Sequence, residues 1–203
     1  MIVWLGMEHS SSLEASLTSE QAELLLDTAE IAIRASLKGT LYLGPDVELL
    51  PERLRQPCGA FVTLHVDGQL NGCIGNIGSD EPIGACVPKL AIQAAFEDSR
   101  LPRLKHQDLP GLQIEISLLS PRSVVPSATA DQLLEHLTPH LHGLIIASGR
   151  LRALFLPSVW EQIPEPKDFL GQLLRKAGMA TDPWPTDMRA EVFTADTYGR
   201  RTA

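Results

Sequence analysis

The chain has 203 residues, 44% apolar and 21% charged, with 25 acidic against 17 basic side chains and a formal charge of −8. That length supports one substantial core, and the acidity opposes phosphate backbones, so nucleic acid is not an expected partner. Three cysteines without a CxxC pair read as a reduced, cytoplasmic protein, and no run is long enough to suggest a membrane span.

Residues 1–5 are apolar but carry no basic flank and are too short for a signal peptide. Residues 1–12 therefore read as a loose extension before a single domain over 13–203, with room for two interleaved lobes. Thr18 and Gln21 stand in capping-box spacing, with Leu17 and Ala22 placed as a hydrophobic staple. Behind them Ala22, Leu25, Leu26, Ala29, Ala32, Ile33 and Leu37 recur on one helical face, and Gly39 is a suitable stop. A loop with Pro45, Pro51 and Pro57 follows.

Residues 60–66 alternate and run into Asp67-Gly68, the favoured pair for a two-residue type I′ turn. Such a loop sets Val66 opposite Gln69 and Val62 opposite Cys73. Val62, Leu64, Val66, Asn71 and Cys73 then share one face, with His65 on the other, and the thiol lies over an apolar floor. The returning strand holds Leu70-Asn71-Gly72-Cys73-Ile74-Gly75. Two glycines in four strand residues imply a bend or a close approach of something to the backbone.

A second helix is expected from Ser79 and Pro82 to about Phe96, with Pro88 forcing a kink or a late start. Residues 113–119 alternate as a strand, and Thr129 with Gln132 forms a capping box opening a short helix over 131–137. Segments 144–147 and 150–156 flank Ser148-Gly149 as a second hairpin. A helix over 169–177 stops at Gly178, and a last strand near 189–194 closes the chain. Without regular βαβ alternation, the pattern indicates an α+β fold, mainly antiparallel sheet with helices packed on it. Gly72, Gly75 and Gly78 belong to neither a GxGxxG fingerprint nor a GK[ST] loop, so a phosphate loop is discounted.

The segment LNGCIG at 70–75 resembles the LRGCIG signature of the AMME chromosomal region (AMMECR) family, labelled in many prokaryotes protein A of the AmmeMemoRadiSam system. AAFEDSR at 94–100 is similar to the family's AAFxDxRF block, and ISLLSP at 116–121 to its strand ending in LSP. GLI at 143–145, FLPSV at 155–159 and FLGQLLRKAG at 169–178 resemble further family segments in the same order. The resemblance covers about residues 13 to 198. Asn71 stands where the signature has arginine, and Leu101 where the family has an aromatic. The resemblance implies an α+β protein with a main lobe, a smaller lobe and a groove between them. It also implies association with a Memo-like, dioxygenase-related protein and a radical-SAM protein. This chain has no cysteine triad, so an iron–sulfur cluster would belong to a partner.

Cys73 is the candidate nucleophile. It needs a lowered pKa from a cation, a histidine or a helix N-terminus, and the helix opening near Glu81 could supply the last. The alternative is a small residue packed at a tight bend. Asp98 and Arg100 form either an ion pair fixing a loop or an anion-binding pair, with Asn71, Gly72 and Gly75 lining the same groove. Glu115 is either a buried acid/base or the solvated half of a strand. His136, His140 and His142 are interrupted by Pro139 and have no carboxylate or cysteine in ligand spacing, so no metal and no cofactor are expected. Cys58 and Cys86 read as packing residues. Two functions remain: a partner module, which the missing signature arginine favours, or an enzyme using Cys73 on a small substrate or peptide.

Overall fold

Residues 16–201 are described by the computed structural model, and the extension expected at 1–12 lies outside them. Two units emerge, one formed by the chain up to Ile116 together with its end from Tyr198, the other by Ser117–Thr197. No helix among the described residues is long and apolar enough to cross a membrane.

In the first unit, α1 (Ser19–Leu37) opens as its capping box dictates. The Thr18 hydroxyl accepts from the Gln21 N–H at 3.2 Å, and the Gln21 side chain accepts from the Thr18 N–H at 3.0 Å. The following loop holds a 3-10 turn at Val47–Leu49 and a short α-helix, α2 (Glu52–Arg55). Strands β1 (Ala60–Val66) and β2 (Gln69–Asn76) form the hairpin, and α3 (Ile83–Phe96) runs back along it. The buried stripe of α1, Leu25, Leu26, Ala29, Ala32 and Ile33, packs on α3, whose Val87, Leu90, Ala91 and Ala94 are buried in turn. Each buried leucine or isoleucine contributes roughly 1.5–3 kcal/mol, so tertiary packing holds these helices more than intrinsic propensity does. Pro88 neither delays nor breaks α3 but is part of a helix already under way from Ile83.

The hairpin register corrects the expectation at its far end. Val66 does face Gln69, but a bulge at Asn71 shifts the ladder, so Thr63 faces Cys73 and Leu64 faces Gly72. Val62 and Leu64 are buried toward the helices, whereas Cys73 shares the opposite face with Thr63 and His65. The thiol therefore does not lie over the apolar floor. One extra residue is sufficient to move it, because side chains alternate with period two.

Strand β3 (Leu112–Leu119) leads into the second unit, where β4 (Ser123–Val125) and α4 (Ala130–Glu135) follow. Strands β5 (Gly143–Ser148) and β6 (Leu151–Phe155) make the expected second hairpin, and α5 (Pro166–Ala177) ends at Gly178 with φ of 73°. That left-handed C-cap favours glycine. Strand β7 (Arg189–Phe193) completes a sheet of order β4-β7-β5-β6. Its inner face packs on α5 around Trp160 and Phe169, whose rings stack at 3.7 Å between centroids. The chain does not close at β7. A further strand, β8 (Ala195–Arg201), joins the other sheet in the order β2-β1-β3-β8. Ser117 on β3 and Thr197 on β8 hydrogen-bond through their hydroxyls at 3.2 Å. The architecture is α+β with two four-stranded sheets.

Candidate functional site

The bulge, the two glycines and the end of α3 together set the surroundings of Cys73. Gly72 points toward the helix side, where a Cβ would stand 2.0 Å from the Ala94 carbonyl oxygen. A Cβ on Gly75 would stand 2.3 Å from the Phe61 ring. Both glycines are thus explained by close approach, the backbone of α3 on one face and an aromatic ring on the other.

Because α3 runs antiparallel to β2, its start lies by the end of that strand, where Asn76 Nδ2 donates to Cys86 Sγ at 3.3 Å. Its C-terminal end reaches Gly72 and Cys73. This corrects the expectation that a helix N-terminus faces the thiol, since the neighbouring helix end is the one with negative polarity. Just past that end the chain supplies Asp98, whose side chain is 3% exposed. Its Oδ2 accepts from the Cys73 N–H at 3.0 Å and from Arg100 Nη2 at 2.7 Å, while Oδ1 accepts from Arg100 Nε at 2.8 Å. Arg100 Nη2 also donates to the Cys73 carbonyl at 3.0 Å. The bidentate guanidinium, with help from the Cys73 N–H, holds the Asp98 carboxyl far below the usual carboxylate range. Arg100 is in turn held above its ordinary value by that carboxylate.

The thiol itself meets a hydroxyl, Thr63 Oγ1 donating to Cys73 Sγ at 3.4 Å. His65 shares that sheet face, contrary to the expected register, and lines a recess of about 320 Å³ with Glu115, Gln113 and Arg200. Arg200 is tied to Glu23, Asp27 and Glu30. His106 Nε2 pairs with the Leu37 carbonyl at 3.1 Å. Neither histidine forms a hydrogen bond to the thiol.

Asn71, the bulged residue, is buried and donates from Nδ2 to the Pro102 carbonyl at 3.3 Å, while its Oδ1 is buried with no partner. It borders a recess of about 560 Å³ with Leu70, Leu101, Arg103 and Lys105. Elsewhere, His136 Nδ1 donates to the Gln132 carbonyl and His142 Nδ1 accepts from the Thr138 N–H. Cys58 donates to the Gly59 carbonyl.

Of the sequence-predicted residues, Cys73, Asp98 and Arg100 are joined by hydrogen bonds, whereas Gly72 and Gly75 are set by close packing against Ala94 and Phe61, and Asn71 turns to the Pro102 carbonyl. Asp98 and Arg100 act on the backbone of Cys73. Sequence reasoning missed Thr63, which enters only through the bulge, and the carbonyls of Ala94 and Pro102, which carry no side-chain signal.

A family model described as AMMECR1 matches residues 26–198. Protein NEQ441 of Nanoarchaeum equitans is 33% identical over 83% of this chain and 94% of its own length. Protein MK0488 of Methanopyrus kandleri is 31% identical, covering 90% of this chain and 89% of its own. The crystal structure of uncharacterized protein PH0010 from Pyrococcus horikoshii is similar with a TM-score of 0.83 and 28% identity, over 92% of this chain and 94% of that one.

Proposed function

The chain belongs to the AMMECR1 family, and from that premise we propose that it is a non-catalytic partner module. It works in the cytoplasm alongside a Memo-like, dioxygenase-related protein and a radical-SAM protein. The observation that carries this reading is a run of bare leucines in the loop after α1, with Leu41 80%, Leu43 86% and Leu49 82% exposed. Scattered exposed leucines are ordinary, but three so bare within nine positions are a local excess of apolar exposure of the kind a partner covers.

The Cys73 surroundings support the same reading. A nucleophilic thiol needs a base or a cation aimed at sulfur. Here Asp98 is consumed by the backbone and Arg100, and the sulfur meets a threonine hydroxyl. One observation favours the alternative, an enzyme acting through Cys73 on a small substrate or peptide. Arg100, whose side chain is 63% exposed, is anchored to the Cys73 carbonyl, which keeps a cation beside the residue that carries the thiol.

The test mixes the purified chain with a Memo-like and a radical-SAM protein from the same organism, followed by native mass spectrometry. The expected result is a complex that survives Cys73→Ser and is lost in Leu41→Ser/Leu43→Ser/Leu49→Ser. Failure of the unaltered chain to bind either protein would overturn the proposal.

A further inference from the structure

The second unit carries a cationic recess that the reading above does not use. In the register of β5, Ala147 stands opposite Arg152 of β6 on one side and Arg189 of β7 on the other. Residues paired across strands share a sheet face. Two long cationic side chains therefore flank a single methyl group, their backbones about 10 Å apart by two interstrand spacings. The alternating neighbours Ile146, Ala153 and Ala190 are buried, while Arg152 and Arg189 are exposed. In the next row of the same face Ile145 stands opposite Glu191, which pairs with Arg122 at 2.9 Å.

These six residues line a recess of about 230 Å³. Ile145 and Ala147 supply an apolar floor, and the arginines supply the walls. Glu191 answers Arg122. A second carboxylate, Asp187, is turned to the β5–β6 connection, where it accepts from the Ser148 hydroxyl and the Gly149 N–H, and it acts on Arg189 only through space. Arg152 makes no salt bridge among the described residues. Like charges on neighbouring positions of one face repel. Two of them are held here over a small side chain, in a chain of formal charge −8.

We propose that this recess binds a small organic dianion, a phosphate monoester or a dicarboxylate. Its anionic oxygens meet the forked donors of Arg152 and Arg189, and its carbon skeleton lies on Ala147. The guanidinium fork matches both oxyanions in geometry, which is why the two share one site chemistry.

The test titrates the full chain separately with inorganic phosphate and with succinate, at ionic strength matched by chloride. Binding is read by calorimetry and by the amide shift of Ala147. Saturable binding of at least one probe is expected, weakened about tenfold or more by Arg152→Gln and by Arg189→Gln, a change of about 1.4 kcal/mol. Arg175→Gln removes the same charge from α5, away from the recess, and leaves affinity within about twofold by the same measure. Binding of phosphate alone supports a phosphate ester, and binding of succinate alone a dicarboxylate. No saturation of either probe up to about 20 mM, well past a millimolar dissociation constant, overturns the proposal. So does an equal loss in Arg175→Gln.

Discussion

Asp98 and Arg100 share two parallel hydrogen bonds, Nε to Oδ1 at 2.8 Å and Nη2 to Oδ2 at 2.7 Å, and between them hold both main-chain polar groups of Cys73. Neutralising the carboxylate weakens charge-assisted bonds, so Asp98→Asn is expected to cost about 2 kcal/mol. Arg100→Gln leaves a buried carboxylate underpaired. In the double variant no such charge remains, so its loss should fall short of the summed single losses by about 1–2 kcal/mol. Urea unfolding of the four proteins measures this directly, and strictly additive losses would mean the pair is uncoupled.

The same carboxylate sets an acid limit. Its pKa is lowered in the folded chain, so it adds stability that is complete above its unfolded value of about 3.9 and drains away as pH falls toward the folded one. The stability gap between the unaltered chain and Asp98→Asn should therefore be flat from about pH 7 to 5 and narrow below about pH 4. A gap that widens in acid contradicts the assignment.

Gly72→Ala should be the most damaging small substitution on β2. The added methyl meets the carbonyl of Ala94, which belongs to helix backbone and cannot swing aside. A loss of about 3 kcal/mol or more is expected, at the upper end of overpacking costs. Thermal unfolding decides it, and a loss below about 1 kcal/mol would show that α3 can retreat from β2.

Cys73 should behave as a packed thiol. Its alkylation in the folded protein at about pH 7 should be no faster than that of Cys58, because no base or cation is aimed at its sulfur. Cys73→Ser should cost less than about 1.5 kcal/mol, since a hydroxyl can still meet Thr63. Rapid reaction at pH 6 would shift the balance to the enzymatic reading.

Much of this was legible in the residues themselves. The capping box at Thr18, the stripe of α1 and the glycine stop of α5 are local signals that mark their elements, whereas the box at Thr129 is only half made, because the Gln132 side chain accepts from the Ala128 N–H, and α4 ends at Glu135, short of the expected 137. The face of Cys73 was not legible. The bulge at Asn71 sits beside Gly72, which packs against Ala94 of α3, a residue distant in sequence that no local pattern in β2 announces. Strand β8 was also hidden, because Asp196, Thr197, Gly199 and Arg200 show no alternation of apolar side chains. Asp98 and Arg100 could be read as an ion pair from their spacing, but their hold on a strand twenty-five residues earlier could not.

Strand β8 also has a consequence for synthesis. Thr197, which meets Ser117 across the sheet, leaves the ribosome eighty residues after its partner. Until then β3 offers an open row of main-chain donors and acceptors, with the residues of α1, α3 and the hairpin already synthesised. Such edges recruit foreign strands, and late long-range pairings prolong that exposure. The growing chain is most vulnerable in this interval, and the arrival of β8 beside β3 is the event that ends it.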